Sequence, residues 1–68
     1  MDFGIALIAL ENGQAVYRKC WLHDYGSIVK VDDHAGAALI RHSAEDSNCY
    51  WTPSYNDLFC KDWEIKND

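Results

Sequence analysis

The chain has 68 residues, a formal net charge of −5, and three Trp, four Tyr and two Phe. A hydrophobic share of 49% excludes an intrinsically disordered chain, and this length predicts one small domain over residues 1–68. Eleven acidic against six basic residues exclude a non-specific nucleic-acid binder, because such proteins neutralise phosphates with lysine and arginine.

The apolar run Phe3 to Leu10 lacks the basic leader and cleavage site of a secretory signal. It is also too short to span a bilayer. Three cysteines, Cys20, Cys49 and Cys60, cannot all pair within one chain. This odd number indicates reduced thiols, and one intramolecular disulfide is the alternative. We therefore expect a cytoplasmic protein with no membrane segment.

The first predicted element is a helix capped by Asp2 that runs to about Asn12 and is ended by Gly13. Helical spacing assigns its core face to Phe3, Ala6, Leu7 and Leu10. Ile5 and Ile8 make the helix apolar nearly all round, beyond what a single buried face needs. They are either scattered surface residues or the contact with a second subunit. We take the second interpretation and predict a homo-oligomer through Ile5 and Ile8, for which a tetramer is one candidate size.

The middle of the chain alternates strand patterns with turn residues. The predicted extended segments are Ala15 to Arg18, Ser27 to Val31, Ala37 to His42, Cys49 to Trp51 and Trp63 to Lys66. Between them we predict a loop from Trp21 to Tyr25 ended by Gly26, a turn from Asp32 to Gly36 and a polar turn from Ser43 to Asn48. The predicted fold class is α+β: a small antiparallel sheet with an N-terminal helix and a short helix before the last strand.

The start of that short helix is marked by Pro53 and by the spacing Ser54-x-x-Asp57, which has the form of a capping box. Alternatively, Thr52 is the cap and Pro53 the first helical residue. In either case the helix runs to about Cys60. Its first amides lie beside Trp51, which predicts a small anion site with an aromatic wall.

Two separated motifs carry a family resemblance. They are Phe3-x-x-Ala6-Leu7-x-x-Leu10-x-x-Gly13-x-x-Val16-x-Arg18-x-x-Trp21 and Trp51-x-Pro53-Ser54-x-x-Asp57-Leu58-x-x-Asp62-Trp63. In order and composition they resemble the Thoeris anti-defence two-like family of small phage-type proteins, over Asp2 to Trp21 and Trp51 to Ile65. The resemblance implies a cytoplasmic, non-catalytic protein that sequesters a cyclic nucleotide or cyclic ADP-ribose-type immune signal.

Arg18 and Trp21 are the first candidate ligand contacts. The resemblance places the matching tryptophan in the ligand-binding region, and an indole in a loop can stack on a base, which contributes about 1–3 kcal/mol. The structural alternative is that Trp21 covers the core or a subunit interface. Arg18 could grip a pyrophosphate with its planar fork, or form an ion pair with Asp62 or Glu64.

Four further residues complete the candidate ligand site. Trp51 could form a second wall of a pocket, and Tyr25 an additional wall. Ser54 and Asp57 are structural residues if the capping box forms, yet their oxygens could also contact a ribose or phosphate. Trp63, at a strand start, is predicted to lie in the core.

Catalysis and metal binding have little support. Cys20-x-x-His23 is a possible ligand pair, but zinc sites normally combine two close pairs, and the chain shows no second one. It has no recognisable nucleophile signature and no glycine-rich phosphate loop. We predict no metal, no cofactor and no enzymatic activity.

A second hypothesis is an acidic inhibitor that binds a host defence enzyme directly. The net charge supports it. A nucleic-acid mimic should align its carboxylates along one face, whereas here they cluster in predicted turns: Asp24, Asp32, Asp33, Glu45 and Asp46. We therefore rank this function below sequestration.

Overall fold

The computed structural model describes residues 1–21, 25–33, 36–43 and 49–66. In chain order the elements are α1 (Phe3–Glu11), β1 (Val16–Arg18), β2 (Ser27–Asp33), β3 (Gly36–His42), β4 (Cys49–Tyr50), α2 (Tyr55–Phe59) and β5 (Trp63–Ile65). None of the helices in the described ranges has the length and apolar character needed to cross a membrane.

The five strands form one antiparallel sheet in the order β4-β3-β2-β1-β5. The central hairpin pairs β2 with β3 from Ser27↔His42 to Asp33↔Gly36. β1 lies between β2 and β5, and Arg18 is directly opposite Trp63. The two segments that carry the family resemblance are therefore neighbours in the sheet. The predicted α+β class, with one helix at the front and a short one before the last strand, is confirmed.

The hairpin is longer than predicted. β2 continues to Asp33 and β3 begins at Gly36, so most of the predicted turn from Asp32 to Gly36 is paired strand. Ladder pairing of Asp32 with Ala37 outweighs the low strand propensity of aspartate. His34 and Ala35 of that turn, residues 22–24 of the predicted loop and residues 44–48 of the polar turn lie outside the described residues.

The α1 helix has the predicted cap: the Asp2 side chain accepts a hydrogen bond from the Ile5 amide at 2.9 Å. The core consists of Phe3, Ala6, Ala9, Leu10, Val16, Ile28, Trp51 and Trp63. The prediction of Leu7 as a core residue was wrong, because Leu7 is 40% exposed and Ala9 is buried instead. Ala6, Ala9 and Leu10 have the i, i+3, i+4 spacing of a single helix face, and Leu7 lies at its margin.

Candidate functional site

Four aromatic rings form one cluster beside the α1 helix: Trp21, Tyr25, Trp51 and Trp63, here called the aromatic cluster. The Trp21 ring centroid lies 4.7 Å from that of Tyr25, 6.1 Å from Trp51 and 5.3 Å from Trp63. These separations lie in the range at which tilted and edge-to-face rings attract each other. Trp51 and Trp63 are buried, whereas Trp21 and Tyr25 are half-buried. The cluster therefore extends from the core to the surface.

Backbone contacts place each ring in this cluster. The Trp21 amide donates to the Arg18 carbonyl at 3.0 Å, which closes a turn after β1. The Trp51 amide donates to the Leu39 carbonyl at 2.9 Å and fixes Trp51 just beyond β4. Trp63 is the first residue of β5. The structure thus gathers residues from three separate parts of the chain.

Gly26 determines where Tyr25 lies. Its φ is +100°, a conformation that favours glycine, and a Cβ at this position would overlap the His42 carbonyl oxygen. The backbone next to Tyr25 is therefore held against the end of β3. At that end, the Arg41 guanidinium lies 4.4 Å from the Tyr25 ring centroid, and its Nη1 donates to the Tyr25 carbonyl oxygen at 3.2 Å.

The Arg18 guanidinium is enclosed by acceptors from α2 and the segment after it. Nε donates to Asp62 Oδ1 at 2.8 Å, Nη1 donates to Asp57 Oδ1 at 2.8 Å, and Nη2 donates to Cys60 Sγ at 2.9 Å. The side chains of Arg18 and Asp57 are each 11% exposed, and that of Asp62 is 30% exposed. Of the two ion-pair partners that the sequence suggested, Asp62 is confirmed, while Glu64 lies 3.7 Å from Lys19 instead.

The charges of this network perturb one another. Hydrogen bonds to Asp62 and then to Asp57 raise the pKa of Arg18 above its usual value. The hydrogen bond from Arg18 lowers the pKa of Asp62. Burial by itself would raise the pKa of Asp57, but hydrogen bonds from the Ser54 amide and from Arg18 outweigh that effect and lower it. The arginine and both carboxylates are thus ionised at neutral pH, and together they carry one net negative charge.

Asp57 connects this network to the start of α2. Its Oδ2 accepts from the Ser54 amide at 2.8 Å, and its own amide donates to Ser54 Oγ at 3.2 Å, so the predicted capping box is confirmed. Ser54, and not Thr52, is the cap. The Ser54 amide, which belonged to the predicted anion site, is therefore bound by a carboxylate of the protein itself.

Trp63 joins the Arg18 network to the aromatic cluster. Its indole Nε1 donates to the Asp57 carbonyl oxygen at 2.9 Å, while its ring packs edge-on against Trp21 and Trp51. All six predicted ligand-binding residues consequently lie in one continuous neighbourhood: Arg18, Trp21, Tyr25, Trp51, Ser54 and Asp57. Sequence reasoning missed Arg41, because its approach to Tyr25 depends on the β2–β3 register and on the close backbone contact at Gly26.

The remaining candidates for chemistry are thiols and histidines. Cys20, Cys49 and Cys60 are free, and Cys20 and Cys49 are exposed. In the described part of the chain, no three His, Cys, Asp or Glu side chains are grouped closely enough to hold a metal ion. His23, the second member of the Cys20-x-x-His23 pair, lies outside the described residues.

Acid should weaken the Arg18 network. Because the folded-state pKa values of Asp57 and Asp62 are lowered, their contribution to stability is complete above the unfolded value of about 4 and is lost as the pH falls through the lowered values. We expect the free energy of unfolding to be level between about pH 5 and 7 and to fall below about pH 4. Urea unfolding at several pH values measures this. The Asp62→Asn variant should show a shallower fall, and an identical fall would assign the effect to other carboxylates.

Comparison with known proteins identifies the family. No curated protein matches the chain. The Thoeris anti-defense 2-like domain, Tad2-like, matches residues 1–66, which includes the middle of the chain that the two sequence motifs do not cover. The name of this family indicates a role in Thoeris anti-defence. With all but two of its residues inside the match, the chain belongs to the Tad2-like family.

Proposed function

We propose that the protein captures a nucleotide-type immune signal, of the cyclic nucleotide or cyclic ADP-ribose class, and holds it without chemical change. The observation that carries this proposal is the half-buried Trp21–Tyr25 pair, supported from behind by two buried tryptophans, in a chain of a Thoeris anti-defence family. A partly exposed indole backed by fixed rings suits base stacking, because it is already held in place before the ligand arrives.

We assign the six candidate ligand-binding residues different roles, according to their exposure and their charge partners. Trp21 stacks on the base, and Tyr25 forms the neighbouring wall. Trp51 supports the Trp21 ring from the core. Arg18 and Ser54 bind Asp57, whose carbonyl oxygen accepts a hydrogen bond from Trp63, so these three residues hold the tryptophans in position. We do not assign Arg18 to a phosphate of the ligand, because two carboxylates already offset its charge.

Sequestration requires tight binding. A nanomolar dissociation constant corresponds to about −12 kcal/mol, several times what one stacked base contributes. A single chain of this size offers little concave surface, so we propose that the ligand lies between subunits of a homo-oligomer. Such a cytoplasmic assembly would act by mass action, lowering the free signal below the level that activates the defence effector.

Titration calorimetry against cyclic ADP-ribose isomers and cyclic di- and trinucleotides tests this function. After binding, the protein is heat-denatured and the ligand is recovered for mass analysis. Tight binding with intact ligand returned supports sequestration. Release of an altered ligand would contradict it in favour of an enzyme. Absence of heat across the panel would favour the acidic protein inhibitor.

Trp21→Ala should weaken ligand binding by about ten- to a hundredfold, because it removes the stacking surface. Calorimetry with the tightest ligand of the panel measures the change, and circular dichroism confirms that the variant is folded. Tyr55→Ala is a matched control, since Tyr55 is an exposed aromatic residue on α2 outside the proposed site. Equal affinities for the Trp21 variant and the wild type would remove Trp21 from the site.

Ile5→Lys combined with Ile8→Glu should convert the oligomer to 7.8 kDa monomers. The two side chains are 51% and 63% exposed on α1, and burying a charge between subunits is unfavourable. Light scattering coupled to size exclusion measures the mass. Asn56→Lys, which adds a charge on exposed α2, should leave it unchanged. A monomeric wild type, or a double variant of unaltered mass, would show that α1 is not the interface.

A further inference from the structure

We propose that Arg41 is a positioning residue for nucleotide capture, which fixes the Tyr25 ring against Trp21 before any ligand binds. This inference rests on the proposed function and extends it to a residue outside the predicted site. The inference is based on the arrangement of three side chains: the Arg41 guanidinium, the Tyr25 ring and the Trp21 ring. In that order each contacts the next.

Arg41 holds Tyr25 at two points of different kinds. Its guanidinium carbon lies 4.4 Å from the Tyr25 ring centroid, within the range of a cation–π contact. Its Nη1 also donates to the Tyr25 backbone carbonyl oxygen at 3.2 Å. A planar guanidinium can make both contacts at once, and the combination restrains the side-chain torsions of Tyr25 as well as its backbone.

The backbone of Arg41 is held by strand pairing on both sides. Arg41 lies on β3, where it is paired with Ile28 of β2 on one side and with Cys49 of β4 on the other. The next residue after Tyr25 is Gly26, whose backbone is in close contact with that of His42. These contacts tie the position of Tyr25 to the β2–β3 pair of the sheet.

A fixed Tyr25 ring affects binding through preorganisation. When a binding-competent arrangement is populated only part of the time, the apparent dissociation constant increases in inverse proportion to that population. Loss of Arg41 should reduce the competent population and so slow association. It should leave dissociation unchanged, because the contacts in the finished complex are the same. A residue that touched the ligand directly would chiefly affect dissociation instead.

The experiment compares Arg41→Met and Arg41→Lys with the wild type and with Lys30→Met. The control removes one positive charge from β2, where Lys30 lies 3.8 Å from Asp32. Near-ultraviolet circular dichroism reports the packing of the aromatic cluster, which includes the contact of Trp21 with Tyr25, without any ligand. Stopped-flow fluorescence with cyclic ADP-ribose, or with the tightest ligand of the calorimetry panel, gives both rate constants. Far-ultraviolet spectra confirm that each variant is folded.

We expect Arg41→Met to lose the part of the near-ultraviolet signal that comes from the contact of Trp21 with Tyr25. It should associate about tenfold more slowly, with dissociation changed less than twofold. Arg41→Lys should recover part of the near-ultraviolet signal and part of the association rate, because an ammonium can lie over the Tyr25 ring but lacks the planar donor group of arginine. Lys30→Met should match the wild type. An unchanged near-ultraviolet spectrum in Arg41→Met would overturn the proposal, as would faster dissociation with unaltered association. If the wild type binds no nucleotide, the proposed function fails, and the ligand-free spectra still decide whether Arg41 positions Tyr25.

Discussion

Trp63→Ala should lower the free energy of unfolding by about 3–5 kcal/mol, the range for removing a large buried aromatic side chain. Trp63 is 1% exposed, and its ring centroid lies 5.2 Å from that of Phe3 and 6.0 Å from that of Trp51. A chain of 68 residues has a total stability of roughly 3–10 kcal/mol. We therefore expect the variant to lose about a third or more of its stability at 25 °C, as measured by urea titration with far-ultraviolet circular dichroism.

Two further variants separate the causes of this loss. Trp63→Phe keeps a ring in the core but removes the hydrogen bond from Nε1 to the Asp57 carbonyl oxygen, which should cost about 1–3 kcal/mol. Phe59→Ala removes an exposed aromatic ring from α2 and should cost less than about 1 kcal/mol. Equal losses for the alanine variants at positions 63 and 59 would contradict the central place assigned to Trp63.

Arg18→Met should lower the free energy of unfolding by about 2–3 kcal/mol. The substitution preserves the length and apolar stem of the side chain but leaves the Asp57 carboxylate without its cation in a largely buried position. Breaking a fully buried pair costs about 3–5 kcal/mol, and the partial exposure of Asp62 reduces the figure here. Denaturant unfolding at pH 7 measures the difference from the wild type.

Lys19→Met is the matched control for this variant. Lys19 is the next residue along the chain, and its contact with Glu64 at 3.7 Å is exposed to solvent. We expect a cost of no more than about 0.5 kcal/mol. If the two variants lost the same stability, the Arg18 network would be no stronger than a surface ion pair. Arg18→Lys should restore little, because a lysine cannot reach Asp57, Asp62 and Cys60 with one planar group.

Local sequence patterns predicted the parts of the fold that depend on near neighbours. The Asp2 cap and the Ser54–Asp57 capping box involve residues three apart, so spacing alone reveals them. The choice of Ala9 over Leu7 as a core residue was missed. It depends on how α1 is rotated against the sheet, and the apolar run of this helix does not indicate that rotation.

Long-range contacts of the site were harder to predict. The sequence suggested Asp62 or Glu64, on a neighbouring strand, as a partner of Arg18, but it did not indicate Asp57 as a second partner. Tyr25 and Arg41 approach each other only because β2 and β3 pair in one particular register and Gly26 allows the backbones to touch. Neither condition has a signature in a single stretch of residues.

The position of β1 between β2 and β5 has a consequence for the order of folding. Among the residues that the structure describes, Arg18 is paired only with Asp57 and Asp62, which lie 39 and 44 residues further along a 68-residue chain. During synthesis the first two-thirds of the chain therefore carries an unpaired Arg18 and a Trp21 that lacks Trp51 and Trp63, two of the three rings of the aromatic cluster it packs against. The chain loses the conformational entropy of closing so long a loop before the stabilising contacts form. We therefore expect slower folding than in a helical protein of equal length. The aromatic cluster, and any capacity to bind, would then appear abruptly, when β5 joins the sheet.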